Sequence, residues 1–269
     1  MDNLDTIIST IEIPSKATIV AEKLVPASST SLSQMGNCSK AFDAKYVTRS
    51  VKWQQNAAAL YGSHAHEAIE NHLRGDVPIP EQFLLLPKLQ RLMDYYRSRN
   101  GFSYKHVEQD LAINDGGACK WNQRSMGVKA DLLLYPDDPR TMWYVDWKTQ
   151  DVTNYKGDKK PPKLDQVQAE LTAICAFVSK PELQRLVVVM EFLKHGKRIV
   201  CQFDRSKPTY TVLSHAGNLS VKEFITPLML SDYWMRQRAK RFEENPTPLC
   251  SWCDVTQCRN WKPTPVVEL

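Results

Sequence analysis

The run Met142-Trp143-Tyr144-Val145-Asp146-Trp147-Lys148-Thr149 reads as a strand in which an acid and a lysine stand two residues apart. Such residues share a face and lie about 6.6 Å apart along the strand. Ahead of it, Gly127–Tyr135 alternates in the same way, and Pro136-Asp137-Asp138-Pro139-Arg140-Thr141 between them is a strong turn signal, so the pair predicts a hairpin. If Tyr135 closes the turn opposite Met142, Asp131 falls directly across from Asp146, with Cβ atoms ~4.5–5.5 Å apart. Two like charges at that distance are destabilising and need a cation. Lys148 supplies one on the same face, and a divalent metal ion is the other candidate. Metal-assisted phosphodiester hydrolysis uses this set: carboxylates hold Mg²⁺ or Mn²⁺, which polarises the phosphate and lowers the pKa of an attacking water. The lysine orients that water or stabilises developing negative charge. Acid-x-Lys triplets also stand at Asp43–Lys45 and Asp158–Lys160, but only the middle one has a strand context and an upstream acidic partner. The bland alternative is a surface ion pair on an ordinary hairpin.

A second group lies in Gly62-Ser63-His64-Ala65-His66-Glu67-Ala68-Ile69-Glu70. His66 and Glu70 are one helical turn apart, beside the apolar stripe Ala65, Ile69 and Leu73, where a helix presents ligands to a sheet. The zinc-protease spacing HExxH is not met, because position 70 is Glu. His64 and His72 read as solvated. Cys250, Cys253 and Cys258 form a third group, with no histidine in their span, so a tetrahedral metal site there needs a fourth ligand from elsewhere in the chain. Cys119, Cys175 and Cys201 read as core thiols. The segment from Tyr155 to Lys163 carries Lys156, Lys159, Lys160 and Lys163 against Asp158; it grips phosphates or is simply a solvated loop.

The elements that must position these groups follow from periodicity. Residues 1–27 alternate weakly around two prolines and predict an arm. Ser28–Ala59 turns helical, Gly62–Arg74 predicts a firm helix and Pro87–Arg99 another. Val107–Ile113 alternates as a strand ahead of the hairpin. Leu164, Val167, Leu171, Ile174 and Val178 recur at helical spacing. Leu186–Leu193 and Arg198–Phe203 predict two strands joined at His195-Gly196, and Ser220–Glu244 a long helix interrupted at Pro227. The expected organisation is an arm (1–27), a core (28–249) and a cysteine segment (250–269). Strands interleaved with helices argue an α/β fold with a mixed sheet, the carboxylate hairpin at its edge.

Composition bounds the rest. The chain has 269 residues, 42% of them hydrophobic and 24% charged, which excludes a fibrous or largely disordered protein. The net charge of +5 is compatible with a polyanion partner without requiring one. No apolar run approaches the ~18 residues that cross a bilayer. An acidic start without a signal-peptide core, and seven cysteines, an odd number, point to a reducing cytoplasm and no membrane.

In order and type, these motifs resemble those of the PD-(D/E)XK nuclease superfamily, in particular its RecB-like exonuclease branch. Gly62, His66 and Glu70 match the helical GxxxHxxxE motif. Gly127 and Asp131 stand for GxxD with one extra residue, Asp146 and Lys148 for (D/E)xK, and Gln166 for the glutamine of QxxxY, where Glu170 replaces the tyrosine. The resemblance covers residues 28–260. It implies a restriction-endonuclease-like core, a central mixed sheet flanked by helices. In that core His66, Asp131 and Asp146 ligate Mg²⁺ or Mn²⁺, Lys148 is catalytic and Gln166 positions substrate. Cys38, following Ser29-Thr30-Ser31-Leu32 and preceding Phe42, resembles the early cysteine of iron–sulfur members such as the AddB nuclease domain and CRISPR-adaptation nucleases. There it closes a [4Fe–4S] cluster with the late triplet, here Cys250, Cys253 and Cys258 with four rather than five residues in the second gap. Zinc is the alternative metal for four thiolates. The function so implied is a metal-dependent DNA exonuclease on linear, single-stranded DNA. It would act in recombination, repair or phage DNA metabolism, with a helicase or recombination protein as partner. The alternatives are a non-catalytic DNA-binding subunit and a structure-specific endonuclease.

Overall fold

The computed structural model describes residues 3–52, 57–75, 77–84, 86, 89–98, 102–149 and 161–262. It is an α/β protein built on one eight-stranded sheet in the order β2-β1-β3-β4-β5-β6-β7-β8. The strands are β1 (Phe102–Asn114), β2 (Gly117–Ala118), β3 (Met126–Pro136), β4 (Thr141–Lys148), β5 (Arg185–Phe192), β6 (Lys197–Asp204), β7 (Thr209–Leu213) and β8 (Leu219–Glu223). Among the described residues only β4 and β5 pair in parallel; the other neighbours are antiparallel. A parallel pair needs a long crossover, and the helix between Gln166 and Ser179 provides it. β5, Arg185-Leu-Val-Val-Val-Met-Glu-Phe192, is apolar almost throughout because helices cover both of its faces.

Two helical layers flank the sheet. One contains α1 (Leu4–Ser9), α2 (Lys16–Ala21), α3 (Ser29–Asn37) and α4 (Ser39–Phe42). The other contains α5 (Ala57–Gly75), α6 (Glu81–Leu84) and α7 (Leu89–Arg97). The crossover helix α8 (Gln166–Ser179) and α9 (Thr226–Ala239) join the first layer. Its core gathers Leu32, Phe42, Leu133, Tyr144, Ile174, Phe203 and Trp234. On the opposite face Ala65, Ile69 and Leu73 of α5 pack with Met93, Tyr96, Val145 and Trp147, so the expected stripe is the buried one.

Three expectations change. Residues 3–27 are not a loose arm: Leu4, Ile11, Ile19, Leu24 and Ala27 are buried in the main core. Ala27 bridges Met126 on β3, and Arg238 of α9 reaches back to Glu12 and Glu22. The long helix over Ser220–Glu244 is instead the edge strand β8 followed by α9, whose first turn holds Pro227, where a missing N–H costs nothing. The carboxylate hairpin β3–β4 is central, because β1 and β2 extend the sheet on one side and β5 to β8 on the other.

Candidate active site

The hairpin register agrees with the sequence geometry. Leu134 pairs with Trp143, Leu133 with Tyr144 and Leu132 with Val145, so the next pair along the strands is Asp131 and Asp146. There the ladder opens. The backbone N–H of Trp147 donates to Asp131 Oδ2 at 2.6 Å, so a carboxylate replaces the missing carbonyl partner. Trp147 itself turns to the other face and packs its ring against Tyr96, as a core residue should.

α5 brings His66 to the same point. Its Nδ1 lies 3.0 Å from Asp131 Oδ1. Close approach of this helix to the strand end relies on Gly62, where an added Cβ would sit 2.9 Å from Thr149 Oγ1. Glu70, one turn further on, points elsewhere: Arg74 holds it at 2.8 Å and also donates to the carbonyl of Val107 on β1. Gly127, at the head of the GxxxD run, has a structural task. A Cβ there would meet the Trp121 ring at 2.7 Å and the Arg124 chain at 2.9 Å, and those two groups stack on each other.

α8 supplies the remaining group, and it is Gln168 rather than Gln166. Gln168 Nε2 donates to Asp146 Oδ1 at 2.6 Å, while its Oε1 accepts from Lys148 Nζ at 2.5 Å. Lys148 Nζ also lies 2.9 Å from Asp146 Oδ2. That contact is ionic without hydrogen-bond alignment, so Asp146 Oδ2 is a buried carboxylate oxygen with no hydrogen-bond partner. Gln166 faces the other way, donating to Glu170 Oε1 and to the carbonyl of Glu223. Glu170 is fully buried and also accepts from Tyr210 and from the backbone N–H groups of Ile225 and Thr226, so it anchors the start of α9.

The charges are mutually adjusted. Burial, together with the neighbouring charge of Asp146, raises the Asp131 pKa against the opposing pull of His66. Burial disfavours the His66 cation, but the hydrogen bond and charge of Asp131, with Asp146 behind it, outweigh that and raise its pKa. Lys148 follows the same pattern: burial opposes its charge, and Asp146, Asp165 and Asp131 restore and strengthen it.

The donor set of His66, Asp131 and Asp146 fits a hard divalent cation: carboxylate oxygens and one imidazole, one oxygen being buried with spare acceptor capacity. Among the described residues, no three His, Cys, Asp or Glu side chains are already gathered so as to hold a metal ion. Here His66 turns its Nδ1 to Asp131, and Asp146 turns toward Lys148 and Gln168.

The four cysteines of the sequence reading face a common cavity. Cys38, Cys250, Cys253 and Cys258 line one cavity of about 280 Å³, with Asn37, Lys40 and Trp261 around it. Cys38 stands at the break between α3 and α4 in an extended conformation (φ −162°, ψ 106°). Protein contacts hold the two ends together beside it: Ser39 exchanges hydrogen bonds with the backbone of Glu243, Asn245 donates to Asn37, and Lys45 pairs with Asp254 at 3.1 Å. Thr247 N donates to Cys250 Sγ at 3.3 Å. Of the other thiols, Cys175 and Cys201 are buried, but Cys119 is only half-buried. Lys156, Lys159 and Lys160 lie outside the described residues, and Lys163 is exposed just before α8. Among the described residues no helix is long and apolar enough to cross a membrane.

No protein-family profile and no curated protein sequence matches the chain.

Proposed function

We propose that the chain is a metal-dependent deoxyribonuclease with a restriction-endonuclease-like core, acting as an exonuclease on linear single-stranded DNA. The observation that carries this reading is the pair Asp131 and Asp146 at adjacent open positions of the β3–β4 ladder, with Lys148 and Gln168 fixed on Asp146. His66, Asp131 and Asp146 would hold Mg²⁺ or Mn²⁺. When bound, the ion polarises the phosphodiester and lowers the pKa of the attacking water. The chain's own residues do the rest. Lys148 carries the fixed positive charge that stabilises negative charge developing on the phosphate. Gln168 holds the lysine and the carboxylate at fixed separation, and the Trp147 N–H fixes Asp131.

The four cysteines around one cavity support a structural [4Fe–4S] cluster that staples the start of the core to its end; zinc is the second candidate for the same thiolates. A cytoplasmic setting in recombination, repair or phage DNA metabolism, beside a helicase or recombination protein, belongs to the same proposal.

Digestion of linear and circular single-stranded DNA with Mg²⁺ or Mn²⁺, with Lys148→Ala alongside, tests the reading. Loss of linear DNA alone, slowed by about 10²–10³ in the variant, is expected, the loss typical of one stabilising donor. Cutting of the circle would make the protein an endonuclease. Absence of any cleavage, from protein retaining its cysteine-bound metal, would make it a binding subunit.

A further inference from the structure

A second groove lies at the end of the sheet to which β4 delivers Lys148. Lys148 pairs in register with Phe192 of β5, and Phe192 with Lys197 of β6, so Lys197 is two strands, about 10 Å, from Lys148 along the sheet end. The turn between β7 and β8 carries His215 to the same end. The groove has a volume of about 620 Å³ and is lined by Arg91, Tyr95, Glu191, Lys197, Arg198 and His215 among others.

Its charge is cationic and its floor is built. Glu191 is buried, raised in pKa by that burial, and engaged from both sides: Tyr96 donates to it at 2.9 Å and Arg198 pairs with it at 2.9 Å. The one carboxylate among the described residues of the groove is thus spent on fixing a half-exposed guanidinium at its mouth. Arg91 and Lys197 are exposed and make no ion pair among the described residues. Arg91 and Tyr95 stand one turn apart on α7, so a cation and an aromatic ring share one face. Tyr95 is 37% exposed, and its ring rests edge-on against Tyr96, 5.1 Å between centroids.

Contacts run from this floor into the active site. Tyr96 packs on Trp147, whose backbone N–H holds Asp131. On the α5 side, Lys194 lies over the ring of Tyr61, next to Gly62 and one and a half turns before His66.

Side-chain cations spaced around an exposed aromatic ring are the elements that bind unpaired nucleic acid, with phosphates on the cations and a base on the ring. We propose that this groove is a binding site for single-stranded DNA, holding the strand that runs from the active site across the sheet end. A duplex keeps its bases stacked internally and cannot use Tyr95 in this way. The inference rests on the nuclease reading and adds to it the place where the single strand is held.

The test is binding of fluorescein-labelled oligothymidylate of about 12 nucleotides, within the usual span of such sites. Anisotropy is measured over a salt series with Lys148→Ala as the common background. Adding Arg91→Ala and Lys197→Ala should weaken binding about tenfold and reduce the salt slope by about 1.4, two single-strand phosphate contacts. Adding Tyr95→Ala alone should weaken it about fivefold or more with the slope unchanged. Lys207→Ala with Lys222→Ala, the same charge removed near the opposite end of the strands, should change neither. Arg198 is left intact because its loss would strand the buried Glu191 charge. Binding unaltered by the groove variants, or lowered as much by the Lys207 and Lys222 pair, overturns the groove. Equal losses for a duplex overturn the single-strand assignment. A wild-type protein that neither cleaves nor binds DNA fails the nuclease reading first, and that result is distinct from the others.

Discussion

Glu170 offers a quantitative test of how α8 and the start of α9 are held together. Its two carboxylate oxygens accept four hydrogen bonds: Gln166 Nε2 at 2.8 Å and Tyr210 OH at 2.9 Å on one, Ile225 N and Thr226 N at 2.8 Å on the other. Every partner is a donor, and the side chain is fully buried. Glu170→Ala leaves two backbone N–H groups and a phenol unsatisfied, at roughly 1–3 kcal/mol each, while Gln166 keeps its bond to Glu223. Some relaxation and water entry are expected, so the net loss is about 3–5 kcal/mol, the usual cost of breaking a buried charged network. Glu170→Gln is milder. Its oxygen can stay on Ile225 and Thr226, with its amide turned to Tyr210, whose hydroxyl can accept, and the loss is about 1–2 kcal/mol. Urea unfolding reads both, as a lower midpoint at constant m-value. The reasoning fails if Glu170→Ala costs under about 1 kcal/mol, or if the glutamine costs as much as the alanine.

Other consequences are more local. Gln168→Ala should lower DNA hydrolysis about 10- to 100-fold, as for other residues that orient metal ligands, whereas Gln166→Ala should lower stability by about 1 kcal/mol and leave the rate nearly intact; comparing the two rates decides which glutamine serves the site. Iron and acid-labile sulfide measured after anaerobic purification should be stoichiometric and fall away in Cys253→Ser, together with a lower melting temperature; stoichiometric zinc without sulfide would replace the cluster by zinc. Burial raises the Glu191 pKa, so between the unfolded value, about 4.3, and the higher folded one the native state keeps a proton that the unfolded chain has released. Stability contributed by this group is therefore present below that window and lost as pH rises through it, and Glu191→Gln should flatten the slope of unfolding free energy there; an unchanged slope would refute the assignment.

Much of this architecture was legible where local chemistry was unambiguous. The turn with two prolines fixed the hairpin length, and alternation on either side fixed its register, which is why Asp131 and Asp146 could be paired from spacing. The stripe on α5 was equally clear. Legibility failed where burial contrast is weak. All five residues of β8 are exposed, Leu219 and Val221 included, so its pattern carries no buried face and merged with the helix after it. α1 and α2 have six residues each, too few for a period to emerge. The choice between the two glutamines was hidden for a different reason. α8 is buried nearly all round, from Gln168 through Phe177, so apolar spacing could not set its rotation. Gln166 and Gln168 differ by about 200° around the axis, and only the sheet decides which of them meets Lys148.

The position of the site follows from the way the sheet ends. β3 continues along β1 as far as Met126, while its pairing with β4 stops after Leu132 and Val145. A backbone amide freed in a buried setting must find an acceptor, and Asp131 provides one with its side chain. The same step brings a second carboxylate beside it, which in isolation would destabilise the pair. Each helical layer then contributes one compensating group at the opening: α5 sends His66 to Asp131, and α8 sends Gln168 to Asp146 and Lys148. Neither layer alone reaches both carboxylates. Among the described residues, groups from both faces thus converge on open backbone positions at this sheet end, which is where the proposed substrate would meet them. The cationic groove two strands away lies on the same end, which makes a continuous path across it the economical reading.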